Sequence, residues 1–557
     1  MEWTTACIDW EDRIVRGDSL IVSPPLFSDV ADEAWAICSQ FRLTDIAGHP
    51  TIGEVARPWL RDLVRAIFGA ESPEGRRLIN EFFLMVSKKN AKSTIAAAIM
   101  LTALLMNWRD EAELLILSPT VEVANNSYKP LSAIIKADDE LKDLLDVRDY
   151  QKLITHKETG AFLKVVAADE ATVTGKKASF VFVDELHEFG KKARASNMLL
   201  EATGGLTSRP EGFVIFATTQ SEEPPAGEFK DKLAYARDVR DGNTVDRKFL
   251  PVIYEFPKSM LEAGAHKDLS NAYVTNPNWG ASVDVERIEQ LYSQAQKKGE
   301  KGLKEFFAKH MNVEVGMNLR SDRWSGADFW LAAAIPVFSL EELLARSEVV
   351  AVGIDGGGLD DLLGLSVIGR EIDTGRWLAW GRGWIHPIAL ERRKSEASRY
   401  EDFIKDGDLV LVAEVGQDVQ EVVALVEQIV DSGLLDKVGV DRLGLGAIYD
   451  ALVGTDDEPG PVEADQVVAI PQGYQLNGAI KTAERHVAAK KLVHGGIALL
   501  AWCVGNAKTV LQGNAVTITK AASGVGKIDL LMALFDAVYL MALNPESKSG
   551  PAIQTLD

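Results

Sequence analysis

The sequence predicts an α/β fold made of two successive α/β domains, and three observations predict it. Apolar runs of strand length recur at residues 82–86, 114–117, 162–166, 180–183 and 213–217 with helix-like segments between several of them. That alternation implies a mainly parallel sheet. A second series opens near Val349 with VVAVGIDGGG and continues at 363–370 and 377–383 as a meander. The chain of 557 residues is also too long for one core, which sets two or three domains.

The first domain is expected over 1–257, ending on a strand in PVIYEFP at 251–257. Its most informative stretch is EFFLMVSKKNAKST at 81–94, an apolar run that enters a short polar turn and a helix over 93–106. A strand that delivers a loop to a helix N-terminus holds phosphate through backbone N–H groups and a lysine. The motif for this is G-x-x-x-x-G-K-[ST]; here Val86 and Ala91 stand at the two glycine positions, and Lys92 and Ser93 are intact. Ala91 is expected to serve with negative φ, because a Cβ disfavours the left-handed region that glycine enters freely. Read alone, the stretch is also compatible with a basic turn before a helix. FVFVDE at 180–185 separates the two readings. A strand ending in Asp184 and Glu185 is costly unless those charges are solvated or bind a cation, and it supplies one acid for Mg²⁺ and one for the attacking water.

Residues 258–345 are expected to form a linker subdomain, with a turn at Asn276, Pro277 and Asn278, and helix over 283–310 in which the charged run QKKGEKGLKE is a solvated loop or helix face. The second α/β domain is expected over 346–545, with further strands at 409–412 and 437–440 and an apolar helix over 528–543; the polar tail 546–557 is expected to be flexible. Asp355 ends one strand, Asp441 ends another and Asp529 opens the helix, with Asp536 two turns along. Acids at strand ends that converge with a helix acid suit two Mg²⁺ ions about 3.5–4 Å apart, which stabilise the attacking and leaving oxygens of a phosphodiester. Asp360 and Asp361 lie in the turn after the first strand. Helix capping is the alternative role for Asp529. GIDGGG also opens kinase-like and actin-like folds, where it binds phosphate; SGVGK at 523–527 is the only later glycine turn available to that reading.

The charge balance of −22 argues against nonspecific coating of nucleic acid, without excluding an enzyme whose basic residues line one groove. Cys7, Cys38 and Cys503 lie far apart, which fits a reducing cytosol and no zinc knuckle. The acidic N-terminal segment does not read as a secretory signal. The longest apolar stretches are too short to span a bilayer, so no membrane partner is expected.

In this order the motifs resemble the large terminase subunit of tailed bacteriophages. SKKNAKS resembles that family's phosphate loop, VDELHEF its acid-bearing strand end, ATTQS at 217–221 its coupling motif, NPNWG a linker signature and KIDLLMAL its last nuclease motif. The resemblance implies a P-loop NTPase domain followed by a ribonuclease-H-like nuclease domain. It implies ATP contacts from Ser87, Lys88, Lys89, Asn90, Ala91, Lys92, Ser93 and Thr94, with Lys92 on the β/γ-phosphates and Ser93 and Asp184 on Mg²⁺. Glu185 would polarise water, Lys88 would reach the γ-phosphate from the same chain, and Thr218 and Thr219 would sense hydrolysis. Asp355, Asp441 and Asp529 would carry the Mg²⁺ or Mn²⁺ of the nuclease. Implied partners are double-stranded DNA, a small terminase subunit and the portal protein of a procapsid, with ring assembly in the cytoplasm of an infected bacterium. The sequence departs from the family at Pro58, Trp59 and Leu60, where an adenine-reading glutamine is usual. Rival readings are a helicase-nuclease of repair and a non-catalytic DNA or capsid adaptor with a relic loop.

Overall fold

The computed structural model describes residues 3–22, 27–72, 74–168, 177–192, 195–314, 324–393, 396–441, 446–455, 458–512, 515–518 and 526–548. Two expected features fall partly outside these residues, the glycine turn at 523–525 and the tail beyond 548. The chain forms two compact units, Met1–Val315 and Gly316–Asp557. Among the described residues no helix is long and apolar enough to cross a membrane.

The first unit is built on eight strands: β1 (Glu81–Met85), β2 (Glu113–Ser118), β3 (Leu145–Arg148), β4 (Leu153–His156), β5 (Phe162–Ala167), β6 (Phe180–Val183), β7 (Phe213–Thr218) and β8 (Phe249–Ile253). They lie side by side in the order β3-β4-β5-β2-β6-β7-β1-β8. From β5 to β8 every pairing is parallel, and β3 and β4 add an antiparallel edge. The central strands are apolar on both faces because helices cover both. The helix Lys92–Met106 is apolar around its whole circumference and is buried from Ile95 to Leu104, as expected for a helix enclosed by protein. The segment between the two expected domains supplies the helices Val285–Lys297 and Glu300–Met311 to this unit. They are separated at Gly299, whose φ is +71°, and Ile288, Phe306 and Phe307 pack into the same core as Trp59 and Leu84.

The second unit opens with an antiparallel meander of β9 (Ser347–Gly356), β10 (Leu362–Glu371) and β11 (Trp377–Ile385). β12 (Leu409–Leu411), β13 (Leu435–Asp441), β14 (Val467–Ile470) and β15 (Leu492–His494) follow. The main order is β12-β11-β10-β9-β13-β14, with β15 also on β11. A separate hairpin pairs β16 (Thr509–Gln512) with β17 (Ala515–Ile518). The helix Asp529–Met541 lies across β9 and β10 at very close range. A Cβ on Gly353 would sit 2.0 Å from the Ala533 carbonyl, and one on Gly364 would sit 2.8 Å from Leu530 Cα. Glycine at these two strand positions is what lets the helix deliver Asp529 to the end of β9.

Candidate functional site

In the first unit, β7 runs between β1 and β6, so the coupling motif sits between the phosphate loop and the acids. Opposite Met85 in β1 is Thr218, and Val86 N–H donates to the Thr218 carbonyl at 3.2 Å. The loop that follows is wound tightly: Lys89 has φ +76° and Ala91 has φ +61°. The expectation of negative φ at Ala91 is therefore overturned. The loop must reverse direction just before the helix, and it takes the left-handed conformation there even with a Cβ to accommodate.

The loop residues divide by the direction in which they face. The Ser87 and Lys88 N–H groups donate to the carbonyls of Thr275 at 3.3 Å and Lys309 at 2.8 Å. The Asn90 side chain is fully buried and turned into the protein, where it bonds Ser87 O and Asn276 Oδ1. The Lys88 and Lys89 side chains are exposed. Lys92, Ser93 and Thr94 form the first helical turn, whose N–H groups have no partner within the helix and make an anion site. The Lys92 side chain is enclosed, with Nζ 3.8 Å from Glu185 Oε1.

Asp184 is 1% exposed. Ser127 Oγ donates to its Oδ2 at 2.8 Å, while Oδ1 is buried without a hydrogen-bond partner. Burial, then the neighbouring Glu185 charge, push its carboxyl up to about 6, against the pull of Lys92 and Ser127. An enclosed carboxylate with an orphaned oxygen, near a helix-borne hydroxyl, is a donor set that fits a divalent cation. Glu185 has φ +53°, a strained conformation for a residue with a side chain. Burial pushes its carboxyl up, but Lys92, then His187 and Lys88, outweigh that and hold it below the ordinary range.

His187 joins the acids to the segment 217–221. Its Nδ1 lies 3.3 Å from Glu185 Oε2 and 3.3 Å from Thr218 Oγ1, and its Nε2 lies 3.2 Å from Glu188 Oε1. Its backbone N–H donates to Thr218 Oγ1 at 3.0 Å. Further along the coupling segment, Gln220 N–H donates to Asn312 Oδ1 at 3.1 Å, and Glu222 pairs with Lys309. Trp59 is buried, and its Nε1 donates to Asn278 Oδ1 at 2.8 Å.

In the second unit, Asp355 is the penultimate residue of β9 and is buried. Val440 in β13 pairs with Ile354, so Asp441, one residue on, stands at the neighbouring strand end. Asp529 is the first residue of its helix and fully buried; Ile528 occupies the capping position, so Asp529 is not the cap. A Cβ on Gly356 would lie 3.0 Å from Asp529 Oδ1, which places that carboxylate at the end of β9 beside Asp355. Asp536 is also fully buried, with Oδ1 accepting from Gln472 Nε2 at 3.0 Å. Burial, then the charge of Asp355 and more weakly that of Asp441, push Asp536 well above the usual carboxylate range. Asp360 pairs with Arg392 at 3.1 Å, and Asp361 pairs with Lys527. Among the described residues, no three His, Cys, Asp or Glu side chains are gathered closely enough to hold a metal ion.

Comparison with known proteins agrees with both halves. Residues 58–238 match the terminase large subunit ATPase domain, and residues 252–544 match the terminase large subunit endonuclease domain. The chain belongs to the terminase large subunit family. It is thus a DNA-packaging motor with an ATPase and a nuclease, an enzyme that uses a nucleotide and divalent metal, and its family acts on DNA. Protein YmfN of Escherichia coli K12 is 22% identical over 375 residues, covering 65% of this chain and 77% of that protein. The crystal structure of the HK97 bacteriophage large terminase is 18% identical, with 91% of this chain and 99% of that one covered and a TM-score of 0.48. The large terminase of a thermophilic bacteriophage, in complex with ATP-γ-S, is 12% identical, with 83% and 93% covered and a TM-score of 0.30.

This terminase large subunit carries residues in working positions that sequence reading did not assign. Asn276, Asn278, Asn312, Ser127 and Gln472 are polar residues with buried partners far away in the chain. Only the 276–278 turn carried a sequence signal.

Proposed function

We propose that this chain hydrolyses ATP at the 87–94 loop to move double-stranded DNA into a procapsid, and cuts concatemeric DNA at the acids of the second unit. The observation that carries the ATPase half is the convergence of Lys92, Glu185 and the orphaned Asp184 oxygen at the ends of β1 and β6. In this reading Lys92 binds the β/γ-phosphates, and the N–H groups of residues 90–94 cradle them. Ser93 and Asp184 hold Mg²⁺, which when bound neutralises phosphate charge. Glu185, kept ionised by Lys92, orients the attacking water. Lys88 reaches the γ-phosphate as a point charge, without an arginine's fork. Thr218, bonded to His187 beside the acids, passes the change at the phosphates along the coupling segment to Asn312.

In the second unit, Asp355, Asp441 and Asp529 would hold the Mg²⁺ or Mn²⁺ of the nuclease, which when bound stabilises phosphodiester charge. Support comes from the strand register and from the electrostatic reach of Asp355 and Asp441 to one shared neighbour, Asp536. The motor would work as a ring on the portal protein, receive DNA with a small terminase subunit, and act in the cytoplasm of the infected host.

The test is reciprocal. Lys92→Ala should abolish ATP turnover and packaging while sparing Mn²⁺-dependent cleavage of plasmid DNA. Asp355→Ala should do the reverse. Unchanged packaging by the first variant, or unchanged cleavage by the second, removes that residue's unit from the mechanism.

A further inference from the structure

The phosphate loop lacks glycine at both positions where the motif has it, yet two of its residues have positive φ. A loop that costs backbone strain persists only where its surroundings over-determine it. The surroundings here are the segment 275–282, which grips the loop along its length. Thr275 O accepts from Ser87 N–H at 3.3 Å. Asn276 Oδ1 accepts from Asn90 Nδ2 at 2.8 Å, and Asn278 N–H donates to Asn90 Oδ1 at 3.0 Å. Ser282 Oγ donates to Lys89 O at 2.9 Å.

The grip is itself anchored. Asn276 Nδ2 donates to the carbonyls of Ala272 at 2.9 Å and His310 at 2.8 Å. Asn278 Oδ1 accepts from Trp59 Nε1 at 2.8 Å. Asn90 and Asn276 are both buried, so each amide needs every bond it makes, and losing one strands its partner. None of these side chains has to touch nucleotide. Their effect is to keep the loop's remaining N–H groups facing a common point, which the two missing glycines would otherwise leave to the loop itself.

We infer that Asn276 is a positioning residue for ATP turnover, holding the phosphate loop in its anion-binding form through Asn90, with the Asn278 backbone N–H as a second hold on the same side chain. The inference rests on the reading that this loop binds the triphosphate. A fixed loop favours bound phosphate equally in the ground state and the transition state, so its loss raises KM more than it lowers kcat.

The experiment uses the full chain and measures ATP hydrolysis and the binding of a fluorescent ATP analogue, with thermal melting and Mn²⁺-dependent DNA cleavage as controls. Asn276→Ala and Asn90→Ala, which both remove the Asn90–Asn276 side-chain bond, should each raise KM for ATP about tenfold, as expected for about one buried hydrogen bond, with kcat within about threefold. The double variant should be no worse than either single, because both remove one link. Ser282→Ala, at an exposed position on the same segment, keeps the fold and should raise KM by about two- to threefold. Unchanged KM in the folded variants, or losses that multiply in the double variant, overturns the clamp. If Lys92→Ala also binds the analogue normally, the underlying reading of the loop fails instead.

Discussion

Lys92 Nζ lies 3.8 Å from Glu185 Oε1, so the cation proposed to meet the phosphates also faces the carboxylate proposed to orient the attacking water. In the proposed mechanism the lysine has two tasks: it attracts the triphosphate, and it keeps Glu185 ionised in an enclosed place where burial alone would favour the neutral acid.

Removing the acid and keeping the lysine separates those tasks. Glu185→Gln is expected to bind ATP with little change in Kd and to lose about 10²- to 10⁴-fold in kcat, the usual worth of a positioned general base. Nucleotide titration and steady-state hydrolysis on one preparation check it. A large loss of affinity would place Glu185 in binding instead.

Ala91 offers a stability test of the loop. Its φ of +61° costs an L-residue about 1–2 kcal/mol that glycine avoids, and glycine gives back about 0.4–1 kcal/mol through a freer unfolded chain. Ala91→Gly should therefore raise the stability of the first unit by up to about 1.6 kcal/mol, read from urea unfolding. Ala91→Val should lower it, because a β-branched side chain fits the left-handed region worse.

His310 predicts a pH dependence. Burial, then Lys88, Lys309 and Lys89, push its imidazole down to about 4 from 6.5. A depressed group binds its proton more readily in the unfolded chain, so its contribution is complete above about pH 6.5 and is lost as pH falls toward 4. At about 1.4 kcal/mol per pK unit the difference approaches about 3 kcal/mol. Asp184, pushed up to about 6, runs the other way: its contribution is complete below the ordinary carboxylate range and is lost as pH rises. The comparison that isolates His310 is therefore wild type against His310→Gln in urea unfolding from pH 7 to 4.5. The variant should lose less stability over that range; parallel curves would show that His310 titrates normally.

Gly353 tests the second unit without touching an acid. A Cβ there would meet the Ala533 carbonyl at 2.0 Å, so Gly353→Ala must push the helix Asp529–Met541 away from β9. DNA cleavage should fall at least about tenfold while ATP hydrolysis stays near wild type, since lateral misplacement of about 1 Å costs about 10²-fold at a reacting centre. Full nuclease activity would mean that Asp529 does not depend on this packing.

The strands that carry the acids and the loop were legible because each is a short apolar run with an abrupt polar end, as in FVFVDE and VAVGID. The antiparallel strands β3, at the sheet edge, and β4, next to it, were not, because LDVR and LITH mix polar and apolar residues. The helix expected over 283–310 is two helices, divided where Gly299 takes a positive φ. The conformation of Ala91 was also not legible. Its φ is imposed by partners at 275–282, and a hydrogen bond such as Asn90 to Asn276 leaves no local pattern in the chain. The link from His187 to Thr218 likewise appears only once β6 and β7 lie side by side.

The central claim is that one polypeptide holds a triphosphate site and a separate phosphodiester site. Crystals grown with a non-hydrolysable ATP analogue and Mn²⁺, with anomalous scattering used to find the metal, test it most directly. The account predicts one Mn²⁺ peak against Asp184 and Ser93 with Lys92 on the phosphates, and further peaks among Asp355, Asp441 and Asp529. Phosphates bound away from Lys92, or no metal at the three aspartates when the ATPase site is filled, would contradict it.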